Sequence, residues 1–177
     1  MRRDVPAAVT SLALSVPTAD AMQRLGERLA GLLHAGDLVL LTGDLGAGKT
    51  TLTQGIGAGL QVRGDVTSPT FVIAREHRST SGGPDLVHVD AYRLGSLAEV
   101  DDLDLDASTA GSVTVVEWGS GLVEELVESR LELRLARGHD ADDETRGVEV
   151  TGYGPRWAGV PLTELVDGAD PTEPERG

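Results

Sequence analysis

The spacing of apolar residues changes several times along this chain, and each change predicts an element. Ala8 to Val16 (AVTSLALSV) alternates, as a strand with one covered face does. Thr18 or Asp20 is placed to cap a helix reaching about Leu33, because Met22, Leu25, Leu29, Leu32 and Leu33 recur at helical spacing. Ala35-Gly36 ends it. Asp37 to Thr42 (DLVLLT) is a short continuous apolar run, the pattern of a central strand covered on both faces. Lys49 to about Leu60 predicts a second helix, with Leu52, Ile56 and Leu60 four apart. Gly55, Gly57 and Gly59 argue against it, since each costs about 1 kcal/mol relative to Ala in a helix.

Further on, Thr70 to Arg78 and Leu86 to Leu94 read as strands joined across the turn-like STSGGPD, a hairpin. SLAEVDDLDLDA predicts a short acidic helix or a loop, and GLVEELV a short helix. Ser112 to Trp118 (SVTVVEW) is a second buried-strand pattern. RLELRLARG alternates cleanly and TRGVEVTGYG more loosely, so they pair across HDADDE. The sum is an α/β domain around a mixed sheet, with parallel-type apolar strands next to helices and an antiparallel edge. Its expected span is residues 1–155. Residues 156–177, ending in DGADPTEPERG, read as an acidic, proline-containing tail without fixed structure.

Charge and composition narrow the function. The 177 residues carry a net charge of −14. The arginines are scattered, whereas a free-standing nucleic-acid binder concentrates basic charge in a patch. Strong tRNA or DNA binding by this chain alone is therefore not expected; acidic surface is usually a solvated face, and the other reading is a partner with a basic surface. With no cysteine, disulfides and a thiol nucleophile are both excluded. The N-terminal stretch is broken by Asp4 and two prolines, and no apolar run approaches a membrane span, so the expectation is a cytoplasmic protein.

The chain's single lysine sits in GDLGAGKTT, Gly43 to Thr51. Gly43-x-x-x-x-Gly48-Lys49-Thr50 has the phosphate-binding P-loop spacing, and a strand pattern precedes it and a helix pattern follows. Each residue type has a reason. Glycines let backbone N–H groups close around phosphate oxygens, and the helix behind presents its free N–H groups and positive dipole end. A lysine ammonium is a compact point charge that fits such a loop, where a forked guanidinium does not. Thr50 has the hydroxyl that such loops place on Mg²⁺. Candidate phosphate-binding positions are thus Gly43, Asp44, Leu45, Gly46, Ala47, Gly48, Lys49, Thr50 and Thr51.

Chemistry at such a loop needs a carboxylate near the metal. Asp90 ends the apolar LVHVD and Glu117 ends VTVVE, and either can hold Mg²⁺ directly or through water, or orient an attacking water. His88 shares a strand face with Asp90 by period two. His34, His77, His88 and His139 do not have metal-ligand spacing. The chain contains no asparagine, so an Asn-Lys-x-Asp guanine-reading motif is impossible, which favours ATP.

The order GDLGAGKTTLTQG, SPTF, HVDAYRL, VVEWG resembles the TsaE (YjeE) family, from about Thr18 to about Arg146. These are small bacterial P-loop ATPases of the threonylcarbamoyl modification of tRNA adenosine 37. The resemblance implies a three-layer P-loop NTPase fold with a mixed, mainly parallel central sheet, binding and slow hydrolysis of ATP with Mg²⁺, and work with the TsaB–TsaD pair, in which TsaD is the transferase. By matching positions it implies Thr50 and Glu117 as Mg²⁺ ligands, and Lys49 and the loop backbone as phosphate holders. Asp90 would act near the γ-phosphate or in coupling to the partner. Ser68, Pro69, Thr70 and Phe71 would form a nucleotide-responsive loop, Trp118 would lie by the nucleotide pocket, and Thr18 by the base or ribose. One departure is Gly119-Ser120 after Trp118, where family members often carry Pro-Glu. A small-molecule kinase and a nucleotide-sensing adaptor are the competing readings; no arginine-rich lid segment supports the kinase.

Overall fold

A computed structural model describes residues 7–44, 46–66, 74–90, 111–117, 127–138 and 143–166. The described strands are β1 (Ala8–Val16), β2 (Leu38–Gly43), β3 (Ala74–His77), β4 (Asp85–Asp90), β5 (Ser112–Glu117), β6 (Arg130–Arg137) and β7 (Arg146–Tyr153); the helices are α1 (Ala19–Ala30) and α2 (Lys49–Leu60). The strands form one sheet in the order β1-β7-β6-β2-β5-β4-β3. Its centre, β6-β2-β5-β4, is parallel, and β7, β1 and β3 add antiparallel flanks. This is the expected mixed sheet of the P-loop α/β class. The predicted acidic segment around 96–107 and the short helix at 121–127 fall outside the described residues, apart from Val127.

The continuous apolar runs occupy the middle, as full coverage requires. Leu38, Val39, Leu40 and Leu41 are all buried, and so is every residue of β5. Alternation sorts the faces. Val39, Leu41, Val113, Val115, Leu131 and Leu133 join one core with α1 and α2. Leu38, Leu40 and Val116 point to the other face and are buried as well.

Thr18 caps α1, its hydroxyl oxygen accepting from the Ala21 N–H at 3.1 Å. The helix ends at Ala30, short of Leu33. Leu32 and Leu33 donate to the carbonyls of Leu29 and Ala30, an i to i−3 tightening that keeps Leu33 buried without continuing the α-helix.

The α2 glycines have a packing reason. A Cβ built on Gly55 would lie 2.1 Å from the Gln23 carbonyl oxygen, and one on Gly59 would lie 2.5 Å from Ala30 Cβ. On the facing helix, a Cβ on Gly26 would lie 2.3 Å from the Leu52 carbonyl oxygen. The two helices run side by side in the same direction, with small residues at the contact so that their backbones meet.

The expected end of the domain after residue 155 is not where the packing ends. Short 3₁₀ turns at Pro155–Trp157 and Leu162–Leu165 bury Trp157, Leu162 and Leu165 in the main core. Gly152 makes room for the indole, since a Cβ there would lie 2.7 Å from Trp157 Cβ. Arg156 lies over the Trp157 ring at 4.3 Å and grips Asp37 with two hydrogen bonds of 2.9 and 2.8 Å. Residues 156–166 therefore belong to the fold. Three apolar anchors scattered through a polar stretch show no period, which is why the pattern suggested a tail.

Candidate functional site

The glycine loop joins the end of β2 to the start of α2, at the carboxyl ends of the central parallel strands, where α/β sheets open a crevice. Gly48 is the N-cap of α2 at φ 106°, a conformation that only glycine adopts without strain. Gly43, at φ 153°, could not carry a side chain either, because its Cβ would lie 2.6 Å from the Leu135 carbonyl oxygen. The Ala47 N–H donates to Asp44 O at 3.0 Å and closes the turn. The first four N–H groups of a helix lack intrahelical acceptors, and Gly48 has no side chain to cap them.

Lys49 is buried in the first turn of α2, only 7% exposed. Its ammonium donates to the Gly43 carbonyl oxygen and, at 3.3 Å, to that of Asp44. Burial lowers its pKa from the ordinary lysine value, while the charges of Glu117, Asp44 and Asp90 pull in the opposite direction. A buried cation at the positive end of a helix is in an unfavourable place for stability alone. With an anion bound between the ammonium and the free N–H groups, both costs reverse.

The two sequence-predicted acids come together. Asp90 and Glu117 are partners in the parallel register of β4 and β5. Glu117 is buried and Asp90 half-buried. Glu117 Oε1 has no hydrogen-bond partner among the described residues and lies 3.4 Å from His88 Nε2. Thr50 and Thr51 are half-buried in the first turn of α2. No cluster of three or more His, Asp or Glu side chains able to hold a metal exists among the described residues. A buried, under-bonded carboxylate and a threonine hydroxyl at a phosphate-type loop suit a hard cation that takes its remaining ligands from phosphate and water, as Mg²⁺ does.

Thr18 stands at the same end of the fold as the loop. Met22, one turn into α1, lies against Gly48, whose Cβ would be 3.2 Å from Met22 Cε. The Thr18 oxygen is already engaged in capping α1. Leu45, Trp118 and the Ser68 to Phe71 segment lie outside the described residues. Sequence reasoning passed over Arg137. It ends β6 next to β2, and a Cβ on Gly46 would lie 3.9 Å from its Nη1. Its one local signal was a strand-terminal position.

Fold and loop together define a P-loop protein of the α/β class. The pattern of the family described as "Threonylcarbamoyl adenosine biosynthesis protein TsaE" matches residues 16–147. A tRNA threonylcarbamoyladenosine biosynthesis protein TsaE of Streptomyces coelicolor is 64% identical over 146 residues, covering 81% of this chain and 99% of that protein. The protein of that name in Mycobacterium tuberculosis is 47% identical over 135 residues, covering 72% and 80%. That of Bacillus subtilis is 40% identical over 129 residues, covering 72% and 77%. The crystal structure of Bacillus subtilis YdiB superposes with a TM-score of 0.68 at 31% identity, covering 85% of this chain and 91% of that one. This chain belongs to the TsaE family.

Proposed function

We propose that this protein is the ATP-binding and ATP-hydrolysing subunit of the machinery that adds threonylcarbamoyl to tRNA adenosine 37, working with the TsaB–TsaD pair. Family membership supports the pathway. The observation that carries the ATPase part is Lys49, the only lysine, buried in the first turn of α2, whose N-cap Gly48 supplies no side-chain cap.

In this reading the backbone of residues 43–51 and the Lys49 ammonium hold the polyphosphate. Thr50 and Glu117 would hold Mg²⁺, which when bound neutralises phosphate charge and orients the terminal phosphoryl group. Asp90, beside Glu117 on the neighbouring strand, would orient an attacking water or relay nucleotide state to a partner. Net charge −14 fits docking on a basic protein surface better than gripping tRNA.

The deciding experiment measures ATP hydrolysis with Mg²⁺ by wild type and Lys49→Ala, with and without purified TsaB–TsaD. A slow rate that responds to the pair and disappears in Lys49→Ala is expected. A rate indifferent to the pair, or stoichiometric phosphate transfer to a metabolite, would overturn the assignment.

A further inference from the structure

His88 is fully buried at 0% exposure, in a strand whose neighbours Leu86, Val87 and Val89 are apolar. Neither ring nitrogen has a hydrogen-bond partner among the described residues. A buried polar ring without partners is costly, and an aliphatic side chain would fill the place more cheaply. The imidazole nevertheless has a direction. His88 pairs with Val115 in register, and Glu117 lies two residues further along β5 on the same face. The ring reaches diagonally along the strand pair and brings Nε2 to 3.4 Å from Glu117 Oε1. That separation exceeds an ordinary N–H···O hydrogen bond, so the contact adds little to folding by itself.

We infer that His88 is a positioning residue for Glu117. Its Nε2 stands 3.4 Å from Oε1, placed to close to hydrogen-bond distance and hold the carboxylate when the second oxygen takes a cation at the glycine loop. Carboxylates that hold metals are commonly oriented by such outer donors, and losing one typically costs 10–100-fold in metal affinity. The inference rests on the Mg²⁺–nucleotide reading given above.

The test compares wild type, His88→Leu, His88→Gln and His88→Asn. Glutamine extends an N–H donor to about the reach of Nε2, asparagine falls short of it, and leucine has none. Binding of a non-hydrolysable ATP analogue is followed by calorimetry in EDTA and across a Mg²⁺ titration, with folding checked by circular dichroism. In His88→Leu the apparent Mg²⁺ dissociation constant should rise about tenfold, with metal-free nucleotide affinity unchanged. His88→Gln should restore most of the Mg²⁺ response and His88→Asn should not. A folded His88→Leu with the wild-type Mg²⁺ response overturns the inference. Should His88→Leu not fold, the Gln and Asn pair decides, and equal Mg²⁺ responses in those two overturn it. A wild type that binds nucleotide without any Mg²⁺ response defeats the underlying reading instead, and this inference with it.

Discussion

Asp90 and Glu117 stand side by side at the ends of two adjacent parallel strands, and both bear on the charge of Lys49. Neighbouring strands lie about 4.8 Å apart, so two carboxylates on one face repel unless a cation comes between or beside them. Glu117 is buried and Asp90 only half-buried, so different losses are expected from the two. Glu117→Gln should weaken Mg²⁺-dependent nucleotide binding about tenfold or more. Asp90→Asn should lower turnover while leaving Mg²⁺–nucleotide binding near wild type. Calorimetry with a Mg²⁺ titration, alongside phosphate release, checks both. Equal losses of Mg²⁺ affinity would put both acids in the metal shell.

Lys49 links folding stability to pH. Burial disfavours its ammonium in the folded protein, so folding releases part of its proton between the lowered folded value and the ordinary lysine value. Stability from this group is therefore lowest below that window and rises as pH climbs through it. Lys49→Met lacks the effect. Its melting temperature relative to wild type should fall as pH climbs through that window toward the ordinary lysine value. Thermal melts across pH check this, and a flat difference would refute it. The same variant should lose about 100-fold in nucleotide affinity, equivalent to about 2.7 kcal/mol of charge-assisted hydrogen bonding.

Gly55 sets helix propensity against packing. Alanine would gain about 1 kcal/mol as a helix former. Its Cβ would meet the Gln23 carbonyl oxygen at 2.1 Å, and backbone cannot move aside cheaply. Overpacking of this kind costs about 1–3 kcal/mol. Gly55→Ala should therefore destabilise the protein, as read by urea unfolding. A stabilised variant would mean that α1 is free to shift.

The Arg156–Asp37 pair ties the end of the described chain to the turn before β2. Asp37 is 6% exposed and also accepts from the His34 N–H at 2.7 Å. Breaking a buried ion pair costs about 3–5 kcal/mol; partial exposure of Arg156 and the remaining donor reduce this to about 2 kcal/mol for Arg156→Ala. Trp157→Ala should cost about 3–5 kcal/mol, and a chain ending at Gly154 should lose cooperative unfolding. Denaturant titrations of the three proteins measure this. A truncated chain as stable as wild type would restore the boundary expected from composition.

How much was legible follows the range of the interactions. β2, the glycine-loop spacing and the start of α2 could be read directly, because these are set by neighbours a few positions away. The paired alternation of β6 and β7 was legible for the same reason: the two alternating stretches lie only a few residues apart in the chain. The glycines of α2 were misleading because one residue type serves both to loosen a helix and to let another backbone approach it. Trp157, Leu162 and Leu165 carried no period, so their burial could not be inferred.

The kinds and order of residues set the chemistry on offer: one lysine in a glycine loop, acids ending two apolar strands, and no cysteine. These depend on local sterics and on composition, which the chain states directly. The tertiary structure decided which groups meet. Strand order placed Arg137 beside Gly46, set Asp90 against Glu117, and turned His88 toward that carboxylate. Such meetings arise from how whole faces pack, and alternation along a strand marks a face without naming the strand beside it.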